Sequence, residues 1–346
     1  MISTTSTRFA HQLRQMGADE HVLSNPKLQQ AIDEIRELKR QKGAVVLSHY
    51  YMPAELQVTD ADGGIADFVG DSLGLSVAAS QTRARAIVFC GVKFMAETAK
   101  VLSPAATVLL PSMKAGCSLA VSISGEDVRF LKKKYPGVPV VAYVNTYAET
   151  KAEADICCTS RNALAIAKAM PGDQLIFLPD LYMGRNLQTR IKAETGKDLI
   201  LWQGSCEVHE QFTPNQIMGL QMMYPEAELL VHWEVPDEVI MRTLSRSGGI
   251  LGSTTDIIKY VGESQAQQFI LASECDLGAT LRGLYPQKEF VVPCIRCPHM
   301  KQIDVYRTLA AMRALDTPAE TDFRIELDEE ICRKAYLPIR RMLDFA

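Results

Sequence analysis

The feature of this sequence that most constrains its fold is an internal repeat of about 90 residues. Each copy contains short apolar runs separated by polar segments, and the last run of each copy leads into a cysteine. These cysteines are separated by 89 and 91 residues and are Cys117, Cys206 and Cys297. Hydroxyl residues at three predicted helix starts keep nearly the same phase, with separations of 88 and 94 residues: Ser72, Ser160 and Thr254. The shared phase indicates three related units.

Each unit is predicted to contain three strands with helices between them. The apolar runs are Ala44–Leu47, Ile87–Cys90, Thr107–Leu110, Val140–Asn145, Leu175–Leu178, Leu199–Trp202, Leu229–Glu234, Phe269–Ala272 and Phe290–Val292. Such uniformly apolar runs are typical of parallel strands buried on both faces. The main predicted helices are Pro26–Lys42, Phe94–Leu102, Met183–Thr195 and Leu277–Leu284. Asn25 can cap the first helix and Gly43 can end it. This alternation predicts an α/β fold with helices on both faces of parallel sheets.

Composition and charge exclude several classes of protein. The chain has 346 residues, of which 47% are hydrophobic and 23% charged, as is typical of a globular protein. The formal net charge of −4 implies no basic face, so nucleic acid is not an expected partner. No apolar run approaches the ~18 residues of a membrane span, and we expect a cytoplasmic protein. The first ~25 residues are interpreted as a mobile or lid-like extension.

The three hydroxyl residues at helix starts are candidate anion ligands. A helix start offers backbone N–H groups, a side-chain donor and the positive end of the helix dipole. An acidic chain can therefore bind phosphate or carboxylate groups without a basic surface. The alternative is that Ser72, Ser160 and Thr254 are ordinary N-caps, which is the expected role of any one of them taken alone.

A second candidate set follows the first strand of each unit, at the edge where ligands bind in open α/β sheets. A threefold arrangement would bring these side chains to one cavity, and they are His49, Tyr51, Tyr143, Asn145, His232 and Glu234. Taken singly, a buried His or Tyr is usually a hydrogen-bonded core residue. His232 and Glu234 are two residues apart on one predicted strand face, and we expect a general acid–base pair because imidazole titrates near neutral pH.

The nine cysteines are too few for a disulfide scaffold in a chain of this length. Five lie in or beside apolar runs and are interpreted as small buried residues: Cys90, Cys157, Cys158, Cys275 and Cys332. The three repeat cysteines instead suggest a metal centre with one open position, for which zinc and iron–sulfur both remain open. Cys294 forms a CxxC with Cys297, either as a redox pair or as half of a zinc site. His209, three residues after Cys206, is either a ligand or a substrate contact.

Six short stretches together form a specific pattern. They are Ser48-His49-Tyr50-Tyr51, Gly70-Asp71-Ser72-Leu73, Phe94-Met95-Ala96-Glu97-Thr98-Ala99-Lys100, Trp202-Gln203-Gly204-Ser205-Cys206-Glu207-Val208-His209, Gly252-Ser253-Thr254 and Arg341-Met342-Leu343-Asp344-Phe345. In this order they resemble the quinolinate synthase (NadA) family, from about Leu28 to Phe345. The resemblance implies three homologous three-layer αβα sandwich units with short parallel sheets, arranged with pseudo-threefold symmetry around a central active site.

The resemblance also implies a cofactor, a reaction and a set of site residues. The cofactor is a 4Fe-4S cluster on Cys117, Cys206 and Cys297, with one open iron. The reaction condenses iminoaspartate (iminosuccinate) with dihydroxyacetone phosphate to quinolinate, phosphate and two waters in NAD biosynthesis, and an aspartate oxidase or dehydrogenase is the expected transient partner. The implied substrate contacts are His49, Tyr51, Ser72, Tyr143, Asn145, Ser160, His209, His232, Glu234 and Thr254. Among them, Tyr51, His232 and Glu234 are the candidates for catalytic proton transfer.

Three positions depart from the usual family pattern. Trp233 stands where the family has Pro, and Tyr147 stands where a small residue is usual, so the pocket wall is expected to differ. Val291 stands where some members carry a further cysteine, which argues against the disulfide switch of those members.

The predicted organisation is an N-terminal extension over 1–26, α/β units over 27–118, 119–207 and 208–303, and a C-terminal helical segment over 304–346 that packs back on the core. Two rival functions remain open from the sequence. One is an iron–sulfur enzyme of the diphthamide-synthesis type with the same architecture, and the other is a non-enzymatic iron–sulfur or thiol redox sensor.

Overall fold

The protein is built from short strands and helices that alternate along the chain, and the computed structural model describes residues 4–346. The strands in this range are β1 Ala44–His49, β2 Phe68–Gly70, β3 Ala86–Cys90, β4 Thr107–Leu109, β5 Val140–Tyr143, β6 Ile156–Cys158, β7 Gln174–Leu178, β8 Asp198–Leu201, β9 Glu228–His232, β10 Gly249–Gly252, β11 Gln268–Ala272 and β12 Glu289–Val291. The α-helices are α1 Thr4–Gln15, α2 Glu20–Leu23, α3 Pro26–Lys42, α4 Ala54–Gln57, α5 Ser72–Gln81, α6 Lys93–Leu102, α7 Ser118–Val121, α8 Gly125–Lys134, α9 Ala148–Lys151, α10 Ala163–Ala169, α11 Leu181–Thr195, α12 Pro214–Met223, α13 Asp237–Ser247, α14 Thr254–Glu263, α15 Leu277–Leu284, α16 Val305–Ala314 and α17 Glu329–Leu343.

The strands form three four-stranded sheets that share one topology. In each sheet the first strand of the copy lies between the second and the third, and the strand orders are β2-β1-β3-β4, β6-β5-β7-β8 and β10-β9-β11-β12. The strand pairs run parallel. The predicted α/β fold with three repeated sheets is therefore confirmed, and the shared order explains why cysteines and hydroxyl residues keep the same phase.

Strand register places the candidate site residues at the carboxyl ends of the sheets. The last residue of each central strand pairs with the last residue of the neighbouring edge strand, and these pairs are His49 with Gly70, Tyr143 with Cys158, and His232 with Gly252. Each edge strand ends just before a candidate hydroxyl residue. Both predicted sets therefore lie at the carboxyl ends of the strands in their own sheet.

Three strands were not predicted from the sequence, and each is the edge strand next to the central one. They are β2, β6 and β10, with three or four residues each. Such short segments, two of them with glycine, give no run long enough to stand out from a loop. The predicted helix Pro26–Lys42 is confirmed with its ends, since Asn25 accepts hydrogen bonds from the helix start and Gly43 adopts a φ of 59°.

The N-terminal segment differs from the expected mobile extension. Helix α1 lies over residues 4–15, and Phe9, Leu13 and Met16 are buried in the core. The Arg282 guanidinium donates to the carbonyl oxygen of Met16 at 3.3 Å. The sequence interpretation is therefore wrong for the described part of this segment, because its apolar face packs against α15.

The chain divides into two compact units. The first contains residues up to 115, 274–290 and 296–326, and the second contains 116–273, 291–295 and 327–346. The predicted C-terminal helices belong to different units: α16 packs against α3 and β3 in the first, and α17 packs against β6 and α9 in the second. No helix within residues 4–346 has the length and hydropathy of a membrane span.

Gly249 at the start of β10 is required by a close backbone approach. Its φ is 121°, and a Cβ at this position would lie 1.9 Å from the carbonyl oxygen of Leu229 in the neighbouring strand. We expect Gly249→Ala to lower the free energy of unfolding by about 2–4 kcal/mol, measured by chemical denaturation. Gly196→Ala is the matched control, because its φ is also positive but nothing lies within 4 Å. A loss of only about 1 kcal/mol for both variants would contradict the steric argument.

Candidate active site

The carboxylate of Glu234 is the centre of a buried polar cluster in the second unit. Glu234 follows the end of β9 and is 3% exposed. It accepts a hydrogen bond from the Tyr143 hydroxyl, a longer one from Asn145 Nδ2 at 3.4 Å, and a contact of 2.9 Å from His209 Nδ1. Three predicted site residues from two segments of the chain therefore meet at one carboxylate.

The imidazole paired with Glu234 is that of His209 and not that of His232. Strand β9 ends at His232, so Glu234 lies beyond the strand and the two residues do not share a strand face as predicted. Instead, His232 Nδ1 accepts the backbone N–H of Glu234 at 3.3 Å. The His232 ring stacks on the His209 ring, with centroids 4.6 Å apart and an interplanar angle of 21°.

Burial and neighbouring charge set the protonation states of this cluster. Burial, followed by the nearby His209, lowers the pKa of His232 to about 3, so this imidazole is neutral. Burial alone would raise the pKa of Glu234, but His209, His232 and the Tyr143 hydrogen bond hold it well below its usual range. Glu234 is therefore an anion within a dry pocket. Burial and the charge of Glu234 raise the pKa of the Asp180 carboxyl well above normal.

Cys206 lies beside the same carboxylate. Its Sγ is 3.3 Å from His209 Nδ1, and the ligand atoms of Cys206, His209 and Glu234 all lie within 4.8 Å of one another. Burial, then the charges of Glu234 and Cys117, raises the pKa of the Cys206 thiol well above normal. The second unit thus contains a group of Cys, His and Glu side chains that can bind a metal ion.

The first unit holds two more predicted residues in direct contact. The backbone N–H of Tyr51 donates to His49 Nδ1 at 3.1 Å, and the two rings meet edge to face with centroids 4.7 Å apart. Lys301 Nζ donates to the carbonyl oxygen of Tyr51 at 2.6 Å.

A buried ion pair that the sequence reasoning missed supports Tyr51 and Cys297. The Glu274 side chain is fully buried, accepts the backbone N–H of Cys297 at 3.1 Å and lies 3.2 Å from Lys301 Nζ. Lys301 also pairs with Asp276. The same lysine therefore connects the Cys297 segment to Tyr51. No spacing rule predicts this contact, because Glu274 and Lys301 belong to no recurring motif.

The hydroxyl residues at helix starts are not the capping residues. Asp71 caps α5 and Ser253 caps α14, so Ser72 and Thr254 occupy the first helical positions. Ser160 precedes Asn162, the N-cap residue of α10. The N-cap alternative is therefore wrong for all three. Ser160 lines a cavity of about 390 Å³ whose wall includes Arg161, Arg190 and Trp233.

Two further polar residues of α11 and its start were also missed. Asn186 Nδ2 donates to the carbonyl oxygens of Trp233 and Val235 at 2.8 Å each, on both sides of Glu234. Asp180 Oδ1 caps α11, whereas its Oδ2 is buried without a hydrogen-bond partner in the described part of the chain. The one sequence signal for Asn186 is its place inside a predicted helix, where Asn is an unfavourable residue.

Removing the Asn186 amide is expected to loosen the Glu234 segment. We expect Asn186→Leu to cost about 1–3 kcal/mol of unfolding free energy, because two buried carbonyl groups lose their donor, and to lower kcat as well. Asn215→Leu, on the exposed surface of α12, is the matched control and should change neither quantity. Chemical denaturation and steady-state kinetics check both. Wild-type kcat in Asn186→Leu would show that this amide does not position Glu234.

The cysteines fall into distinct groups. Cys117, Cys206 and Cys297 are half-buried and are not disulfide-bonded. Cys90, Cys157 and Cys158 are buried as predicted, and Cys332 is half-buried. Cys275 and Cys294 are each disulfide-bonded, so the interpretation of Cys275 as a simple buried thiol is wrong. Because Cys297 is a free thiol, the CxxC is not closed as a redox pair in this structure.

Comparison with known proteins decides the family. The family model described as "Quinolinate synthetase A protein" (NadA) matches residues 33–344. The chain belongs to the quinolinate synthase family. "Quinolinate synthase 2" of Mesorhizobium japonicum is 44% identical over 313 residues, covering 90% of this chain and 90% of the relative. The quinolinate synthases of Caulobacter vibrioides and Xylella fastidiosa are each 41% identical, covering 90% and 92% of this chain and 81% and 88% of those relatives.

Membership in the quinolinate synthase family makes this chain an enzyme of NAD biosynthesis. The match extends over both compact units and over every predicted site residue. The diphthamide-type enzyme and the redox sensor are therefore not favoured.

Proposed function

We propose that the chain condenses iminoaspartate with dihydroxyacetone phosphate, giving quinolinate, phosphate and two waters. The observation that carries this proposal is the buried Glu234 carboxylate, held by Tyr143, Asn145 and His209 in a chain of the quinolinate synthase family. The reaction requires several proton transfers and two dehydrations. A fixed, water-excluded carboxylate with hydrogen-bonding neighbours suits such chemistry.

The donor set in the structure fits the proposed 4Fe-4S cofactor. Cys117, Cys206 and Cys297 are not disulfide-bonded, and each follows the last strand of its own sheet. Cys117 and Cys206 lie near enough for the charge of one to affect the pKa of the other. We therefore propose these three as the cluster ligands. When bound, such a cluster supplies an open iron that acts as a Lewis acid in dehydration, without net redox change.

Glu234 is proposed as the group that accepts and returns protons. Its pKa lies well below normal, so it is ionised at neutral pH and holds no proton of its own before the reaction. The neutral His232 and the Tyr51 hydroxyl are the other proposed proton-transfer groups. His49, Tyr143, Asn145 and His209 would orient the substrate. Asn145 Oδ1 is buried and has no hydrogen-bond partner in the described residues, which leaves an acceptor for a substrate N–H.

The three hydroxyl residues are proposed to hold the phosphate or carboxylate groups. Ser72 and Thr254 lie at the first positions of α5 and α14, where helix dipole and backbone N–H groups favour anions. Ser160 lines a cavity that also contains Arg161 and Arg190. These local features would bind anionic substrates in a chain whose net charge is −4. A cytoplasmic location and the handover of iminoaspartate from an oxidase or dehydrogenase remain predictions from the sequence.

The proposed function is tested by product analysis under anaerobic conditions. The reconstituted protein is supplied with freshly generated iminoaspartate and dihydroxyacetone phosphate, and quinolinate and inorganic phosphate are measured. We expect equal amounts of both products, and none when either substrate is omitted. Cleavage of S-adenosylmethionine, or a titrating disulfide with no quinolinate, would support a rival function instead.

A further inference from the structure

We propose that the cluster-free form of this protein binds one divalent cation of the zinc type at Cys206, His209 and Glu234. These side chains offer a thiolate sulfur, an imidazole nitrogen and a carboxylate oxygen, which are the ligand types that zinc accepts in proteins. Their ligand atoms all lie within 4.8 Å of one another. This mononuclear site goes beyond the reaction proposed above.

The spacing of the donor atoms suits one small ion. His209 Nδ1 lies 3.3 Å from Cys206 Sγ and 2.9 Å from Glu234 Oε2. Zinc–ligand bonds of about 2.0–2.3 Å place neighbouring donor atoms of a tetrahedron about 3.3–3.8 Å apart. The two contacts therefore need to lengthen by less than about 1 Å to admit the ion. Three protein ligands leave the fourth position to water.

The surrounding hydrogen bonds are those that orient metal ligands. His209 Nε2 lies 3.3 Å from Ser273 Oγ, so this nitrogen can donate to the serine while Nδ1 faces the ion. Glu234 Oε1 accepts hydrogen bonds from Tyr143 and Asn145, which leaves Oε2 on the side of His209. In metal sites, such outer partners fix the imidazole tautomer and the direction of the carboxylate.

Charge and burial also favour a divalent cation here. A thiolate and a carboxylate together balance the two positive charges of the ion. His209 and Glu234 are nearly fully buried, so little water competes for the ligand atoms. Metal binding would release the thiol proton of Cys206, so that the new thiolate and the Glu234 carboxylate both interact directly with the cation.

The proposed cation and the proposed cluster compete for Cys206. The mononuclear site uses Cys206 alone among the cysteines, whereas the cluster would also use Cys117 and Cys297. Cation binding to the cluster-free chain would therefore prevent cluster loading. This difference in cysteine requirement separates the two metal sites experimentally.

The test is a titration of the full-length, cluster-free chain with Co²⁺, which replaces Zn²⁺ and reports coordination by its absorption. We expect one Co²⁺ per chain, with the visible bands of a tetrahedral site and a thiolate-to-metal charge-transfer band, and displacement by Zn²⁺. Cluster reconstitution should be slower after one equivalent of Zn²⁺ is added. The absence of a tetrahedral Co²⁺ spectrum in the wild-type chain would overturn the proposal.

Matched variants assign the ligands. Cys206→Ser should remove the charge-transfer band, Glu234→Gln should weaken Co²⁺ binding at least about tenfold, and Ser273→Ala should weaken it about tenfold. Cys297→Ser and Cys332→Ser should bind Co²⁺ as the wild type does. Loss of binding in Cys297→Ser, or a charge-transfer band that survives in Cys206→Ser, would show that the cation lies elsewhere. None of these measurements uses turnover, so their failure is distinct from failure of the quinolinate assay.

Discussion

Changing Glu234 to glutamine is expected to lower kcat for quinolinate formation by about 10²–10⁴-fold. Glutamine keeps the size of the side chain but removes its charge and places an NH₂ group where the structure needs an acceptor. The Tyr143 hydroxyl and His209 Nδ1 both point at this carboxylate, so at least one of them loses its partner. The variant should therefore fold and retain its iron while losing proton transfer.

Glu238→Gln is the control for this prediction. It makes the same chemical change four residues away, on the exposed surface of α13, and should leave kcat unchanged. Steady-state kinetics under anaerobic conditions, with iron content measured on the same samples, separate catalysis from cofactor loss. A Glu234→Gln enzyme that works at the wild-type rate with full iron content would remove Glu234 from the mechanism.

Changing Lys301 to methionine is expected to lower the free energy of unfolding by about 3 kcal/mol. The substitution keeps the length of the side chain but leaves the fully buried Glu274 carboxylate without its cation. It also removes the donor to the Tyr51 carbonyl oxygen. Because Glu274 holds the Cys297 backbone, kcat should fall together with stability.

A second substitution distinguishes the ion pair from simple packing. Glu274→Gln in the Lys301→Met background removes the stranded charge, so the double variant should regain part of the lost stability. Lys133→Met, at an exposed position of α8, should change stability by less than about 0.5 kcal/mol. Chemical denaturation of all variants in the same metal-free state provides the measurement. Strictly additive losses would contradict an interaction between Lys301 and Glu274.

The strands and helices of this fold were predictable where the sequence is strongly periodic. The helix Pro26–Lys42 and the buried central strands follow from apolar spacing and from caps, which act over a few residues. The edge strands β2, β6 and β10 were missed because three or four residues carry too little pattern. Their position depends on pairing with a strand that lies elsewhere in the chain.

The sequence predicted which residues belong to the candidate site, but not which of their side chains contact one another. Repetition brought out Tyr143, Asn145 and Glu234, since equivalent strand ends share one edge of each sheet. The partner of Glu234 is His209, from a turn after β8, and the sequence contains no local sign of this contact. The supporting roles of Asn186 and Lys301 were also not predicted. Both side chains donate to backbone carbonyl groups, and only the folded chain defines the positions of those groups.

The central claim is that this chain forms quinolinate with a cluster held by its three repeat cysteines. It is tested most directly by counting iron and acid-labile sulfide in anaerobically reconstituted wild type and Cys206→Ser, and by assaying quinolinate on the same samples. We expect the iron and sulfide of one 4Fe-4S cluster per chain and quinolinate formation in the wild type, and neither in Cys206→Ser. A Cys206→Ser protein with an intact cluster and normal turnover would contradict the account.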